Sequence, residues 1–125
     1  VKPRILVVDD DDGVRVAVAH ILRAAGYRIA LACDGKEAMD VFEKFDPSLL
    51  ITDIVMPNQD GMETIREIKK HHPHIKIIAM SGGARMENSD LFQRALDSGA
   101  DHTISKPFEF RQLTELIQFS LQPAA

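Results

Sequence analysis

Five polar residues of chemical interest stand at or just after the ends of short runs that read as strands. Asp9 and Asp10 follow Ile5-Leu6-Val7-Val8, Asp53 follows Leu49-Leu50-Ile51-Thr52, Ser81 follows Ile75–Met80, and Lys106 closes His102-Thr103-Ile104-Ser105. If these runs are neighbouring parallel strands about 4.8 Å apart, carboxylates ending the first and third come within reach of one small ion. Three carboxylates beside one ammonium leave an excess of negative charge. A divalent cation bound through oxygens would neutralise it, and Mg²⁺ suits a site with few carboxylates and room for water. A metal-held carboxylate beside a lysine and a hydroxyl points to phosphoryl transfer, which needs positioning and charge neutralisation more than elaborate acid-base groups. Carboxylates can act as nucleophiles and form an aspartyl-phosphate. Asp53, alone at its strand end, is the expected nucleophile, with Asp9 and Asp10 on the metal side. Lys106 is expected to hold a phosphoryl oxygen as a point charge, and Ser81 to meet another through its hydroxyl.

The elements that must position these residues alternate along the chain. After the first apolar run, Val14, Ala17, Val18, Ile21, Leu22 and Ala25 recur at helical spacing, with Asp11 or Asp12 as N-cap and Gly26 as terminator. Arg28–Ala32 alternates as a second strand, Asp34-Gly35 marks a turn, and Ala38, Val41, Phe42 and Phe45 give a second helical face. Asp46-Pro47 precedes the third strand, and a loop over 55–61 leads to a third helix through Met62, Ile65 and Ile68. Ile75–Met80 reads as a buried fourth strand stopped by Ser81-Gly82-Gly83. Leu91, Ala95 and Leu96 mark a fourth helix that ends near Ser98-Gly99. A short, polar fifth strand follows, and Phe110, Leu113, Leu116, Ile117 and Leu121 form the stripe of a last helix. Five strand-helix units with short connections predict an α/β fold: a doubly wound, flavodoxin-like parallel sheet with five helices. The apolar first, third and fourth strands belong inside and the other two at the edges, which gives the order 2-1-3-4-5 and a switch point between the first and third strands.

Composition narrows the function. The 125 residues carry 15 Lys+Arg against 19 Asp+Glu, a formal charge of −4, so the chain has no electrostatic footprint for nucleic acid or an anionic membrane. The apolar runs are too short for a membrane span or a signal core. Cys33 is the single cysteine and forms no internal bridge, which fits a reducing compartment and a cytoplasmic location; its thiol is read as inert. The start at Val1 rather than Met leaves room for a longer parent chain.

Val7-Val8-Asp9-Asp10, Asp53 with Met56-Pro57 and Asp60-Gly61, Ser81 after Met80, and Lys106-Pro107-Phe108 together make the chain resemble the receiver domain of two-component response regulators (CheY-like). The matches run in order along nearly all of residues 1–125, which are read as one phosphoacceptor domain. The resemblance implies that Asp53 takes a phosphoryl group from a histidine kinase phosphohistidine, or from a phosphotransfer protein. It implies that Asp10, Asp53 and the backbone carbonyl of Val55 ligate Mg²⁺ while Asp9 helps through water. It further implies that Ser81 and Lys106 meet the phosphoryl group and switch the surface of helix four, strand five and helix five. Such a domain is no enzyme in the ordinary sense but assists its own phosphorylation and dephosphorylation. Its output passes to an effector protein or to an output domain absent from this chain, and dimerisation through the helix four to helix five face is left open. The chain departs from the pattern in two respects. Thr103 stands where the family often has an aromatic switch residue. Val55 and Gly83 stand where similar domains guide water to the acyl phosphate, and neither can orient one, so slow self-dephosphorylation is expected. Gly82-Gly83 also makes the loop after Ser81 permissive in backbone angles.

Two rivals remain in view. Asp10-Asp11-Asp12-Gly13-Val14 resembles the opening motif of haloacid-dehalogenase-like phosphatases, with Asp10 as nucleophile and Asp12 as acid; against it, the acids after Lys106, Glu109 and Glu115, lie in the last helix. A degenerate receiver that binds a partner without phosphorylation is the other, kept alive by Thr103. Asp11 and Asp12 are otherwise read as capping and surface residues. An EF-hand reading fails because Val8 and Ala19 would occupy ligand positions. His71, His72 and His74 are read as a helix C-terminus favoured by its dipole and ended by Pro73, and Met56 and Met80 as packing residues.

Overall fold

A computed structural model describes residues 2–56, 59–82 and 87–122. Gly83 and Pro57, which the sequence reading singled out, lie outside them. The elements run β1 (Arg4–Val8), α1 (Asp12–Ala24), β2 (Arg28–Ala32), α2 (Gly35–Phe45), β3 (Leu49–Asp53), α3 (Gly61–His71), β4 (Lys76–Gly82), α4 (Glu87–Ser98), β5 (His102–Lys106) and α5 (Phe110–Leu121). All five strands pair in parallel in the order β2-β1-β3-β4-β5. This is the expected doubly wound sheet. Its central strands are almost wholly buried because helices cover both faces, while β2 and β5 are half-buried edges.

Strand periodicity divides the core in two. Leu6, Val8, Leu50, Ile77 and Ala79 point to one face, where they meet Ala38 and Phe42 of α2, Met62, Ile65 and Ile68 of α3, and Ala95 of α4. Ile5, Val7, Leu49, Ile51, Ile78 and Met80 point to the other, against Val18 and Leu22 of α1 and Leu113 and Ile117 of α5. Asp11 caps α1 by accepting from the Val14 N–H at 3.1 Å, and Asp34 caps α2 by accepting from the Glu37 N–H at 2.8 Å. Gly26, with φ 99°, follows α1 as expected of a glycine after a helix end.

The structure departs from the sequence reading at several places, among them Leu96, which was placed on the apolar face of α4 but is 40% exposed. β4 continues through Ser81 and Gly82, because Ser105 and Lys106 of β5 pair with them and extend the ladder. The 55–61 loop contains a two-residue antiparallel pairing, Val55–Met56 with Gln59–Asp60. In α1, Ala19 is buried while Ala17 is exposed, as is Ala25 just after the helix. In α5, Phe110 is 49% exposed; Phe108, just ahead of the helix, packs against the α1–α5 core in its place.

Beyond α4, the chain is tied to the amino end of the sheet. Ala100 N–H donates to the Ala95 carbonyl at 3.0 Å around Gly99, whose φ is 126°. Asp101 Oδ2 then accepts from the Ile77 N–H at 2.9 Å and from Lys69 Nζ at 3.1 Å, and the same ammonium donates to the Ile75 carbonyl at 2.6 Å.

At the other end of the sheet, α3 starts in contact with the chain leaving β3. A Cβ on Gly61 would lie 2.6 Å from Ile54 Cα and 2.8 Å from its carbonyl oxygen, closer than backbone atoms tolerate. Gly61→Ala should therefore destabilise the fold by about 2–3 kcal/mol, the ordinary cost of forcing extra volume into packed structure, read as a lower urea midpoint at unchanged m-value.

Candidate functional site

The register of the sheet sets the site. Val8 is opposite Thr52, so Asp9 and Asp53 are the next residues on neighbouring strands, and Gly82 is opposite Lys106. Ile54 N–H donates to the Met80 carbonyl at 3.0 Å and keeps the chain beyond Asp53 on the sheet. Asp9, Asp10 and Asp53 each bring a carboxylate oxygen within 4.8 Å of the others. Among the described residues they are the one group of three or more such side chains close enough to share an ion. Asp9 is fully buried, Asp53 is 4% exposed and Asp10 is open to solvent.

Lys106 enters from the last strand. Its Nζ donates to Asp9 Oδ2 at 2.7 Å and to Asp53 Oδ2 at 3.3 Å. The remaining oxygens are also engaged: Asp9 Oδ1 accepts from the Asp11 N–H at 2.9 Å, and Asp53 Oδ1 accepts from the Val55 N–H at 3.1 Å. Burial raises the pKa of Asp53 and the charge of Asp9 raises it further; the Val55 N–H and Lys106 oppose this without cancelling it. For Lys106, burial pulls the pKa down, but hydrogen bonding and attraction to Asp9 and Asp53 outweigh it, so the ammonium titrates above its usual range. Ser81 is fully buried on β4, one residue beyond the Met80 that pairs with Asp53. Thr103 pairs with Ala79 and lines a hollow of about 350 Å³ with Ile104, Gln112, Glu115, Leu116 and Phe119. Beside it the His102 and Phe119 rings meet edge-on, 5.4 Å apart, on the β5–α5 surface.

The other candidate residues are placed elsewhere. Asp12, the acid of the phosphatase alternative, lies outside the carboxylate group and pairs with Arg15. His72 stacks on Phe42 with centroids 4.1 Å apart, and His71 faces Glu67 at 3.5 Å, at the C-terminus of α3 where the chain leads into the amino end of β4. The Cys33 thiol is held protonated, first by its hydrogen bond to Glu37 and then by burial and neighbouring carboxylates. One side chain was missed. Arg15 Nη1 donates to the Asp9 carbonyl at 2.7 Å. Its spacing of three from Asp12 on the same helix was a legible pairing signal.

Hard oxygen donors in this number, with two of them buried beside a single ammonium, fit a small divalent cation such as Mg²⁺. Comparison with known proteins agrees with the architecture. Residues 5–118 match the response regulator receiver domain. The chain belongs to this family. It is 35% identical over 121 residues to the sensor kinase CckA of Brucella abortus, covering 94% of this chain and 12% of that protein. It is 38% identical over 110 residues to the response regulator MprA of Mycobacterium bovis, covering 88% of this chain and 46% of that one. The chain thus spans less than half of either relative. The crystal structure of the receiver domain of NtrX from Brucella abortus superimposes with a TM-score of 0.89 at 32% identity, covering 96% of this receiver and 99% of that chain.

The raised pKa of Asp53 fixes a sign. As pH falls, the native state takes up this proton before the unfolded chain does, so this group adds stability at low pH and withdraws it as pH rises through the native pKa. At neutral pH a charged Asp53 is a net cost in the metal-free receiver. Asp53→Asn removes that charge and leaves Lys106 paired with Asp9, so in EDTA at pH 7 its Tm should exceed wild type by a few degrees, measured by calorimetry. The gain should shrink as the buffer is acidified.

Proposed function

We propose that residues 1–125 form a phosphoacceptor domain that takes a phosphoryl group onto Asp53 from the phosphohistidine of a sensor histidine kinase or a phosphotransfer protein, in a Mg²⁺-dependent reaction. An Asp53 carboxylate oxygen attacks phosphorus, the nitrogen–phosphorus bond breaks, and the neutral imidazole leaves with the electron pair once protonated. The observation that carries this reading is the convergence of Asp9, Asp10 and Asp53 on one point with Lys106 bonded to two of them. Asp10, Asp53 and the Val55 carbonyl would hold Mg²⁺, with Asp9 acting through water. Bound there, the cation supplies neutralisation of the developing phosphoryl charge. Lys106 would leave its position between the carboxylates to pair with a phosphoryl oxygen, and Ser81 would donate to another.

Loss of Lys106 and Ser81 from their resting partners at the ends of β4 and β5 would be felt by the adjoining surface of α4, β5 and α5, which would change for an effector protein or an output domain. With Thr103 in β5, that change has no aromatic side chain at this position to report it. The domain assists its own phosphorylation and dephosphorylation and is otherwise no enzyme. No described helix is long and apolar enough to cross a membrane, and a cytoplasmic location for the receiver accords with its kinase donor.

Incubation with Mg²⁺ and acetyl phosphate tests this by intact mass. One phosphoryl adduct should form on wild type, disappear in EDTA and be absent from Asp53→Asn. An adduct that survives Asp53→Asn and vanishes in Asp10→Asn would overturn the assignment in favour of an Asp10 nucleophile. No adduct at all would favour a receiver that works unphosphorylated. Val55, 55% exposed and apolar at the mouth of the site, offers no group to orient water, so the adduct should persist; placing a carboxamide there, Val55→Asn, should shorten its lifetime.

A further inference from the structure

The acidic group depends on a turn whose backbone is pinned from several directions. Asp9 N–H donates to the Ala32 carbonyl at 3.2 Å, and Asp9 Oδ1 accepts from the Asp11 N–H, which closes a loop around Asp10. Arg15 adds a third hold. Its Nη1 donates to the Asp9 carbonyl, the oxygen of the peptide that joins Asp9 to Asp10, while Nη2 pairs closely with Asp12 Oδ1. The Arg15 side chain is 15% exposed and Asp12 86%, so the carbonyl end of this bridge is sheltered and the carboxylate end stands in solvent.

Asp10 itself is exposed, so its direction is set by the peptide it hangs from. A planar guanidinium can hold two acceptors at once, and here it joins the start of α1 to the peptide leading into Asp10. We propose that Arg15 is a positioning residue for cation binding: by clamping the Asp9–Asp10 peptide it keeps Asp10 turned toward Asp9 and Asp53. This rests on the Mg²⁺ reading above, and it concerns a residue that touches neither the cation nor the phosphoryl group.

Two effects of Arg15 on a bound cation have opposite signs. As a bare positive charge near the site it would repel the cation, and its removal would tighten binding. As a clamp it preorganises a ligand, and its removal would weaken binding in the way that losing a supporting hydrogen bond does at metal sites. The charge-only effect is further reduced by the direct pairing with Asp12. Lysine separates the two, since it keeps the charge and loses the two-headed hold.

The experiment is a titration of Mg²⁺ into the EDTA-treated receiver, read as the rise in Tm, for wild type, Arg15→Ala and Arg15→Lys. The Tm in EDTA measures any purely structural loss separately. In both variants the Mg²⁺ concentration giving half of the full thermal shift should rise about tenfold. An unchanged or lower midpoint in Arg15→Ala, or a wild-type midpoint in Arg15→Lys, would overturn the proposal while leaving the site intact. Absence of any Mg²⁺-dependent shift in wild type would instead remove the metal reading and this inference with it.

Discussion

Two carboxylates out of contact with bulk water at the ends of adjacent strands must repel, and the position of Lys106 between them is the interaction on which the site depends. The lysine lies 97 residues from Asp9 and 53 from Asp53 in sequence, so only the completed sheet brings the three together. One ammonium cannot neutralise two carboxylates. The remainder shows in the raised pKa of Asp53, where burial and the charge of Asp9 outweigh the hydrogen bonds from Val55 and Lys106. A site with residual negative charge and oxygen ligands is matched to a hard cation, and breaking one of its ion pairs would leave a sheltered charge uncompensated.

The fold supplies this arrangement through direction. Parallel strands bring all carboxyl ends to one edge, and in the order β2-β1-β3-β4-β5 the chain leaves β1 and β3 toward helices on opposite faces. The gap between those departures is where Asp9, Asp10 and Asp53 meet. Side chains that alternate along each strand build two cores, one beneath α2, α3 and α4 and one beneath α1 and α5. The reactive edge is thus supported from both sides without contributing to either core.

Much of this was legible in the residues, for a physical reason: an apolar run buried on both faces must end where the chain needs water or polar partners, so Asp9 and Asp53 advertise their strand ends. The helix phases were also readable through Val18, Leu22, Phe42, Ile65 and Ile117. What failed depended on neighbours. Ser81 is inside β4 because β5 runs beside it, a length that pairing decides and hydropathy does not. Phe110 fits the α5 spacing but is displaced from the core by Phe108, since a residue ahead of a helix has no periodicity to reveal it. Arg15 gave no sign of its link to Asp9, because its partner there is a backbone carbonyl, and a carbonyl leaves no signature in sequence.

The tether at the far end of α4 has a mechanical meaning. Gly99, Asp101 and Lys69 fasten the last turn of this helix to β4 and α3, well away from the reactive edge. A rod fixed at one end swings about that end. Twelve residues make about 18 Å of helix, so a tilt of about 10° about the fastened turn carries the opposite end roughly 3 Å. Any such tilt would therefore move the first residues of α4 most and its last turn least.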